Sequence, residues 1–225
     1  MGRLYIIPTP IGNLKDISLR ALEILQEVDL ILAEDTRKSG VLLKHFDIKT
    51  PLSSHHKFNE HRESGNICGQ IVAGKNIALI TDAGTPGISD PGFLLVRTCI
   101  EKSIDVETLP GATALIPALV NSGLPCDRFC FEGFLPQKKG RMKRLKKLEN
   151  EERTMVFYES PHRIVKLVDQ LIDILGRQRK ASLSRELTKI HEENLRGSLA
   201  ELAEKLKDTQ PRGEYVLIVA GKTRD

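Results

Sequence analysis

The twelve residues Thr81-Asp82-Ala83-Gly84-Thr85-Pro86-Gly87-Ile88-Ser89-Asp90-Pro91-Gly92 carry three glycines, two prolines and two aspartates. They follow Asn76-Ile77-Ala78-Leu79-Ile80, which reads as a buried strand, and precede a helix-like run from Phe93. Such a loop is bent and stiff, and the carboxyl end of a strand is where open α/β sheets hold ligands. A second loop of this kind, Pro8-Thr9-Pro10-Ile11-Gly12-Asn13-Leu14, follows the strand-like run Leu4–Ile7. The two are expected to face one cleft. The chemistry they offer is not that of a phosphate cradle. There is no Gly-x-x-x-x-Gly-Lys-Ser/Thr and no Gly-x-Gly-x-x-Gly after the first strand, Pro8 and Pro10 remove backbone donors, and Asp82 and Asp90 repel an anion. The ligand these residues favour is cationic or neutral, with an acid placed to meet an amino group or a sulfonium.

Around these loops, apolar runs at Leu4–Ile7, Leu30–Ala33, Ile77–Ile80 and Val106–Leu109 read as strands, separated by helix-period segments such as Ser18–Val28 and Thr36–Phe46. Ser18 is placed to cap the first, with Leu19, Leu22 and Leu25 at helical spacing behind it. Alternation of strand and helix predicts a largely parallel sheet. A helix over Gly111–Asn121 should stop at Ser122-Gly123-Leu124-Pro125, and the boundary is expected nearby, giving domains 1–115 and 116–225. In the second half, Arg128–Phe131, Thr154–Tyr158, Ala181–Ser184 and Tyr215–Ala220 read as strands, with helices near Gly140–Glu149, His162–Leu175 and Leu199–Leu206. That pattern predicts a mixed sheet flanked by helices, with the polar stretch after Thr188 as a surface ribbon or loop.

At 225 residues the chain can bury a real core without staples. Cys68, Cys99, Cys126 and Cys130 lack zinc-type spacing, so reduced thiols and no metal are expected. Apolar runs are too short to span a bilayer and the amino terminus leads straight into a strand, which points to the cytoplasm and away from a membrane. The formal charge of +4 is unevenly spread: Lys138, Lys139, Arg141, Lys143, Arg144, Lys146 and Lys147 fall within ten positions. Such a block serves either as a phosphate-neutralising surface or as a solvated helix face balanced by Glu149-Asn150-Glu151-Glu152. With no Trp and few aromatics, no stacking platform for single-stranded bases is evident.

Taken in order, Pro8–Leu14, Ala33-Glu34-Asp35-Thr36-Arg37, Asp82–Gly92, Leu109-Pro110-Gly111-Ala112-Thr113, Phe131-Glu132-Gly133-Phe134-Leu135-Pro136, Phe157-Tyr158-Glu159-Ser160-Pro161-His162-Arg163 and Arg185-Glu186-Leu187-Thr188-Lys189 resemble the ribosomal RNA small subunit methyltransferase I family. That family is the RNA-modifying branch of the tetrapyrrole methylase superfamily. The resemblance runs from about residue 3 to residue 221. It implies two unlike α/β domains with the cofactor in the cleft between them, a homodimer, and methylation by S-adenosylmethionine of a cytidine ribose 2′-hydroxyl in the decoding region of small-subunit (16S) ribosomal RNA, free or in the 30S particle. Members commonly carry a further small C-terminal domain thought to help hold RNA, whereas this sequence stops at Asp225.

The same resemblance puts the cofactor against Ile11, Asp82, Gly84, Thr85, Ala112, Thr113, Phe157 and Tyr158. Ala112 and Thr113 read equally as a helix start, and Phe157 and Tyr158 as core strand residues. A ribose hydroxyl is a very weak acid, so a base or an electrostatic aid is expected near its oxygen. Candidates are Glu34, Asp35 and Arg37, and the run Ser53-Ser54-His55-His56 with Asn59 and Glu60. Asp35, Arg37 and His56 are taken as the catalytic set, although Asp35 is also placed to cap the helix from Thr36. Lys138, Lys139, Arg141, Arg163 and Arg185 are the candidates for RNA phosphates, with Glu159 or Glu186 as alternative ion-pair partners for the last two.

Overall fold

The computed structural model describes residues 2–56, 60–207 and 209–222, arranged as two compact units, Met1–Thr113 and Ala114–Asp225. Asn59 lies outside the described residues.

The first unit is a five-stranded sheet in the order β3-β2-β4-β1-β5. Its strands are β1 (Leu4–Ile6), β2 (Leu30–Ala33), β3 (Leu52–Ser54), β4 (Ile77–Leu79) and β5 (Val106–Thr108), and every pairing is parallel. Parallel neighbours need crossovers, supplied by α1 (Leu19–Glu27), α2 (Thr36–His45), α3 (Glu60–Val72) and α4 (Phe93–Glu101). The chain steps one way from β1 to β2 to β3, then the other way from β3 to β4 to β5. Right-handed crossovers therefore place α1 and α2 on one face and α3 and α4 on the other.

The side chains sort accordingly. Ala21, Leu25 and Leu43 pack with Ile7, Ile31, Ala33, Ala78 and Ile80 in one layer. Ile67, Cys68, Ile71, Leu95 and Cys99 pack with Leu4, Ile6, Leu32, Ile77 and Leu79 in the other. Alternate residues of each strand thus feed opposite layers, as the period of a strand buried on both faces requires. Cys68 and Cys99 face each other with sulfurs 3.6 Å apart, and burial pushes the Cys99 thiol up to about 12. Ser18 caps α1 as expected, its hydroxyl accepting from the Ala21 N–H at 3.1 Å.

The second unit is a mixed five-stranded sheet in the order β6-β7-β10-β8-β9. Its strands are β6 (Phe129–Phe134), β7 (Thr154–Glu159), β8 (Lys180–Arg185), β9 (Glu193–Ser198) and β10 (Tyr215–Val219). Only β6 and β7 pair in parallel, and a register shift at Gly133 re-aims the end of β6. The helices α6 (Arg141–Lys147), α7 (Ile164–Leu175) and α8 (Leu199–Lys207) cover one face, where Ile164, Leu167, Val168 and Leu171 of α7 meet Met155, Phe157, Leu183 and Leu217. On the other, α5 (Leu115–Ser122) packs on β8, β9 and β10.

Two expectations are corrected and a third is met. The helix expected over Gly111–Asn121 begins only at Leu115, because Gly111 and Ala112 are engaged with neighbouring loops. No strand is expected near Ser53, yet Ser53 and Ser54 end the edge strand β3, and α3 follows. The stretch after Thr188 becomes the half-exposed edge strand β9, paired antiparallel with β8, which matches a surface ribbon.

Candidate functional site

In the first sheet the chain leaves β1 toward one face and β4 toward the other, which opens a crevice at their carboxyl ends. Both proline- and glycine-rich loops meet there. The N–H of Thr9 donates to the carbonyl of Gly84 and the N–H of Gly84 to that of Thr9, both at 2.9 Å. The buried Thr9 hydroxyl donates to the Thr81 carbonyl at 2.9 Å. A third loop, after β5, joins them: Thr85 Oγ1 donates to the Ala112 carbonyl at 3.0 Å, and Gly111 lies so close to Pro8 that a Cβ there would stand 2.8 Å from the Pro8 Cβ. Gly84 has φ of +86°, and its missing Cβ would touch Ile11 Cγ2 at 3.5 Å and Ala112 O at 3.8 Å. Ile11, Gly84, Thr85 and Ala112 are therefore brought together, with the half-buried Thr113 next in chain. Thr9 and Gly111, which the sequence reading did not single out, are what lock them.

The loop after β2 is tied to the same assembly. The Thr81 hydroxyl donates to Glu34 at 3.2 Å, and Asp82 accepts from the Asp35 N–H at 3.2 Å and from Lys38 Nζ at 2.8 Å. Both Asp82 oxygens thus have partners, and Lys38 is a neighbour the sequence reading missed.

Asp35 caps α2 by accepting from the Arg37 N–H at 2.9 Å, and its carboxylate holds the Arg37 guanidinium through two bonds of 3.0 and 2.8 Å. The hydrogen bonds from the Arg37 side chain and backbone lower its carboxyl to about 2. Asp35 therefore takes up the capping place expected for it and also fixes the Arg37 guanidinium. The Arg37 head, 87% exposed, projects into solvent.

The histidine pair divides. His55 is buried, with both ring nitrogens lacking hydrogen-bond partners, and burial lowers its pKa, opposed by the charge of Glu60. His56 is half-buried and is the accessible member. Glu60 is spent elsewhere. It accepts from the N–H groups of Gly92, Leu94 and Leu95 at 3.0 to 3.4 Å, so a residue of α3 caps the amino terminus of α4, whose own N-cap is a glycine.

The candidates in the second unit fare unevenly. Phe157 is fully buried in that unit's core, so its side chain is a packing residue and not a ligand contact. Tyr158 points to the opposite face, edge-on to Phe131 and Phe134 at 5.0 and 5.6 Å. Arg141 is corrected: it is buried, with Nε donating to Gln170 at 2.8 Å and Nη1 set 3.4 Å from Glu159, and does not face a polyanion. Its burial was foreshadowed by Leu145 and Leu148, which share its helical face. Arg144 is held bidentately by Glu132, both contacts 2.6 Å, whereas Lys138, Lys139, Lys143, Lys146 and Lys147 are exposed. Arg163 reaches Glu159 at 2.7 Å and Arg185 lies 3.5 Å from Glu193, yet Arg163 Nη1 and Arg185 Nε lack hydrogen-bond partners. They stand at the same end of the sheet, where Glu186 and Thr188 adopt φ of +51° and +67°, a backbone strain typical of functional segments. Among the described residues no cluster able to hold a metal ion is present, and no helix is long and apolar enough to cross a membrane.

Two unlike α/β units and this set of interlocked loops define a class. The Tetrapyrrole (Corrin/Porphyrin) Methylases family matches residues 3–203. Diphthine synthase superposes with a TM-score of 0.75 at 15% identity, covering 100% of this chain and 92% of that one. Uroporphyrin-III C-methyl transferase from Thermus thermophilus, complexed with S-adenyl homocysteine, gives 0.67 at 18%, covering 97% of each. These share the fold. Nearer relatives carry one name, ribosomal RNA small subunit methyltransferase I. That of Synechocystis sp. is 51% identical over 99% of this chain and 80% of its own length. That of Escherichia coli O157:H7 is 52% identical over 98% and 78%, and that of Thermotoga maritima 45% over 99% and 100%. The chain belongs to the tetrapyrrole methylases and, within them, to the ribosomal RNA small subunit methyltransferase I family.

Proposed function

We propose that this protein transfers a methyl group from S-adenosylmethionine to the ribose 2′-hydroxyl of a cytidine in the decoding region of small-subunit ribosomal RNA. The observation that carries this reading is identity near one half, along almost the whole chain, to proteins named for methylating that RNA. A homodimer acting in the cytoplasm on the 30S particle is part of the same proposal.

The residues of the first unit suit this donor. Its sulfonium, adenine and ribose call for apolar edges and carbonyl oxygens in preference to an anion nest, and the three loops present Ile11, Ala112 and a backbone left open at Gly84. Thr85 and Thr113 add hydroxyls, and Asp82, shared with Lys38, supplies negative charge. When bound, S-adenosylmethionine supplies an electrophilic methyl group. The protein's own part is orientation and proton handling. The rigid loops fix the donor side. Arg37, held in its fork by Asp35, offers positive charge to a hydroxyl oxygen losing its proton, and a ring nitrogen of His56 accepts that proton. In the second unit, Arg163 and Arg185 engage flanking phosphates and Tyr158 provides an apolar edge, while Lys138 and Lys139 add attraction without sequence preference.

Incubation with S-adenosylmethionine labelled at the methyl group and with small ribosomal subunits tests the reading. Label is expected in RNA, on a cytidine ribose. Label in protein, in a tetrapyrrole, on a base or in no RNA would overturn it.

A further inference from the structure

Six cations scattered through the second half of the sequence are collected by the topology. Arg128, Arg153, Arg177, Arg179, Lys180 and Lys222 line an open recess of about 1030 Å³ where β6, β7 and β8 begin and β10 ends. This is the end of the sheet away from Glu159 and Arg185. A strand of six residues separates the two ends, roughly 20 Å at 3.3 Å per residue. Asp127 and Glu152 line the same recess and Glu151 pairs with Arg153, so six cations face three acids and the recess keeps a surplus of positive charge.

The walls are preset. Arg153 is held by Glu151 through bonds of 2.8 and 2.9 Å, Arg179 Nη1 donates to the Ala220 carbonyl at 3.3 Å, and Lys222 Nζ donates to Asn150 at 3.0 Å. Arg128, Arg177 and Lys180 are exposed, and Gly123 and Gly176 leave backbone open between them. Arg128, Arg153, Lys222 and Lys180 flank the ends of four neighbouring strands, β6, β7, β10 and β8, which lie about 4.8 Å apart in turn, and such a row suits a chain of separated phosphates better than one small anion.

We propose that this recess is a second docking surface for the RNA backbone, at the opposite end of the second sheet from Arg163 and Arg185 and indifferent to base sequence. It rests on the reading of ribosomal RNA as substrate and extends the footprint over both ends of the second sheet. The test measures binding of purified small-subunit ribosomal RNA across a salt series, by the intact protein and by the triple variant R128A/R177A/K180A. The variant is expected to lose affinity by 10-fold or more at about 150 mM salt and to flatten the log–log salt slope by about 2. The charge-keeping variant R128K/R177K/K180R is expected to stay within about 3-fold of the parent, and uptake of S-adenosylmethionine should be unchanged in both, showing an intact fold. Equal affinity and slope for the parent and the triple variant would overturn the proposal, as would salt-independent binding by the parent. Loss of binding through the recess together with a parent that transfers no methyl to the RNA would uphold the docking surface and sink the catalytic reading.

Discussion

Thr9 and Gly84 exchange both of their backbone hydrogen bonds, each 2.9 Å long, across the head of the first sheet. Two loops separated by more than seventy residues are thereby a single rigid body, and the left-handed conformation of Gly84 is what lets its strand turn into that pairing. Gly84→Ala must hold an L residue at φ of +86° and press a methyl toward Ile11. The strain is on the order of 1–2 kcal/mol. The expected result is a lower unfolding temperature and at least a tenfold weaker uptake of S-adenosylmethionine by calorimetry, with the secondary structure retained.

Glu159 is enclosed by two arginines, Arg141 and Arg163, at 3.4 and 2.7 Å. Removing Arg141 leaves the buried Glu159 with Arg163 alone and takes the donor from Gln170, a loss of charged hydrogen bonds that typically costs about 1–3 kcal/mol. Arg141→Ala is therefore expected to destabilise the protein strongly in denaturant titration. Lys138→Ala and Lys139→Ala should leave stability unchanged, which separates the structural member of the basic run from its exposed ones.

The exposed lysines of that run give a distinct signature. Neutralising Lys138, Lys139, Lys143, Lys146 and Lys147 together should weaken binding to ribosomal RNA and flatten its salt dependence, without changing S-adenosylmethionine affinity. An unaltered salt slope would remove α6 from the RNA-binding surface.

Burial lowers the pKa of His55 below its ordinary 6.5. The unfolded chain then binds a proton at a pH where the folded protein does not, so the stabilising contribution is complete above about 6.5 and falls as pH is lowered. The unfolding midpoint should decline below pH 6.5, and His55→Leu should make that decline shallower.

Asp35 shows the same sign for a different reason. Arg37 lowers its carboxyl from 3.8 to about 2, so its contribution is present above pH 3.8 and is lost between there and 2. Asp35→Asn retains an acceptor for the helix cap but releases the Arg37 fork. Methyl transfer to RNA should fall at least tenfold with donor binding unchanged. An active D35N enzyme would show that the Asp35–Arg37 pair is not needed for turnover.

The parallel sheet was legible because its buried strands are continuous apolar runs, as at Leu30–Ala33 and Ile77–Leu79. β3 escaped notice because an edge strand with exposed Ser53 and Ser54 carries no apolar alternation, and α3 contains Gly65 and Gly69, which dilute a helical signal. The late start of α5 could not be read from local residues. It depends on Gly111 meeting Pro8 and on Thr85 reaching Ala112, contacts made only after the sheet has assembled. Within the candidate site, Gly84, Thr85 and Ile11 were legible as residues of loops of unusual composition, whereas Ala112 read as a helix start and was indicated only by the family resemblance. The commitments of Asp35, Glu60 and Arg141 were not, because what a charged side chain pairs with is fixed by partners such as the Gly92 N–H and Glu159 that lie far along the chain.

The sulfur atoms of Cys68 and Cys99, sealed between α3 and α4, make the protein its own stopwatch. A maleimide reaches neither until those helices part, whereas Cys126 on the surface is modified at once and serves as the zero of the clock. The delay between the two reactions times how often that helical layer breathes. Since Glu60 clasps the start of α4 from the start of α3, the E60Q protein should run the clock fast.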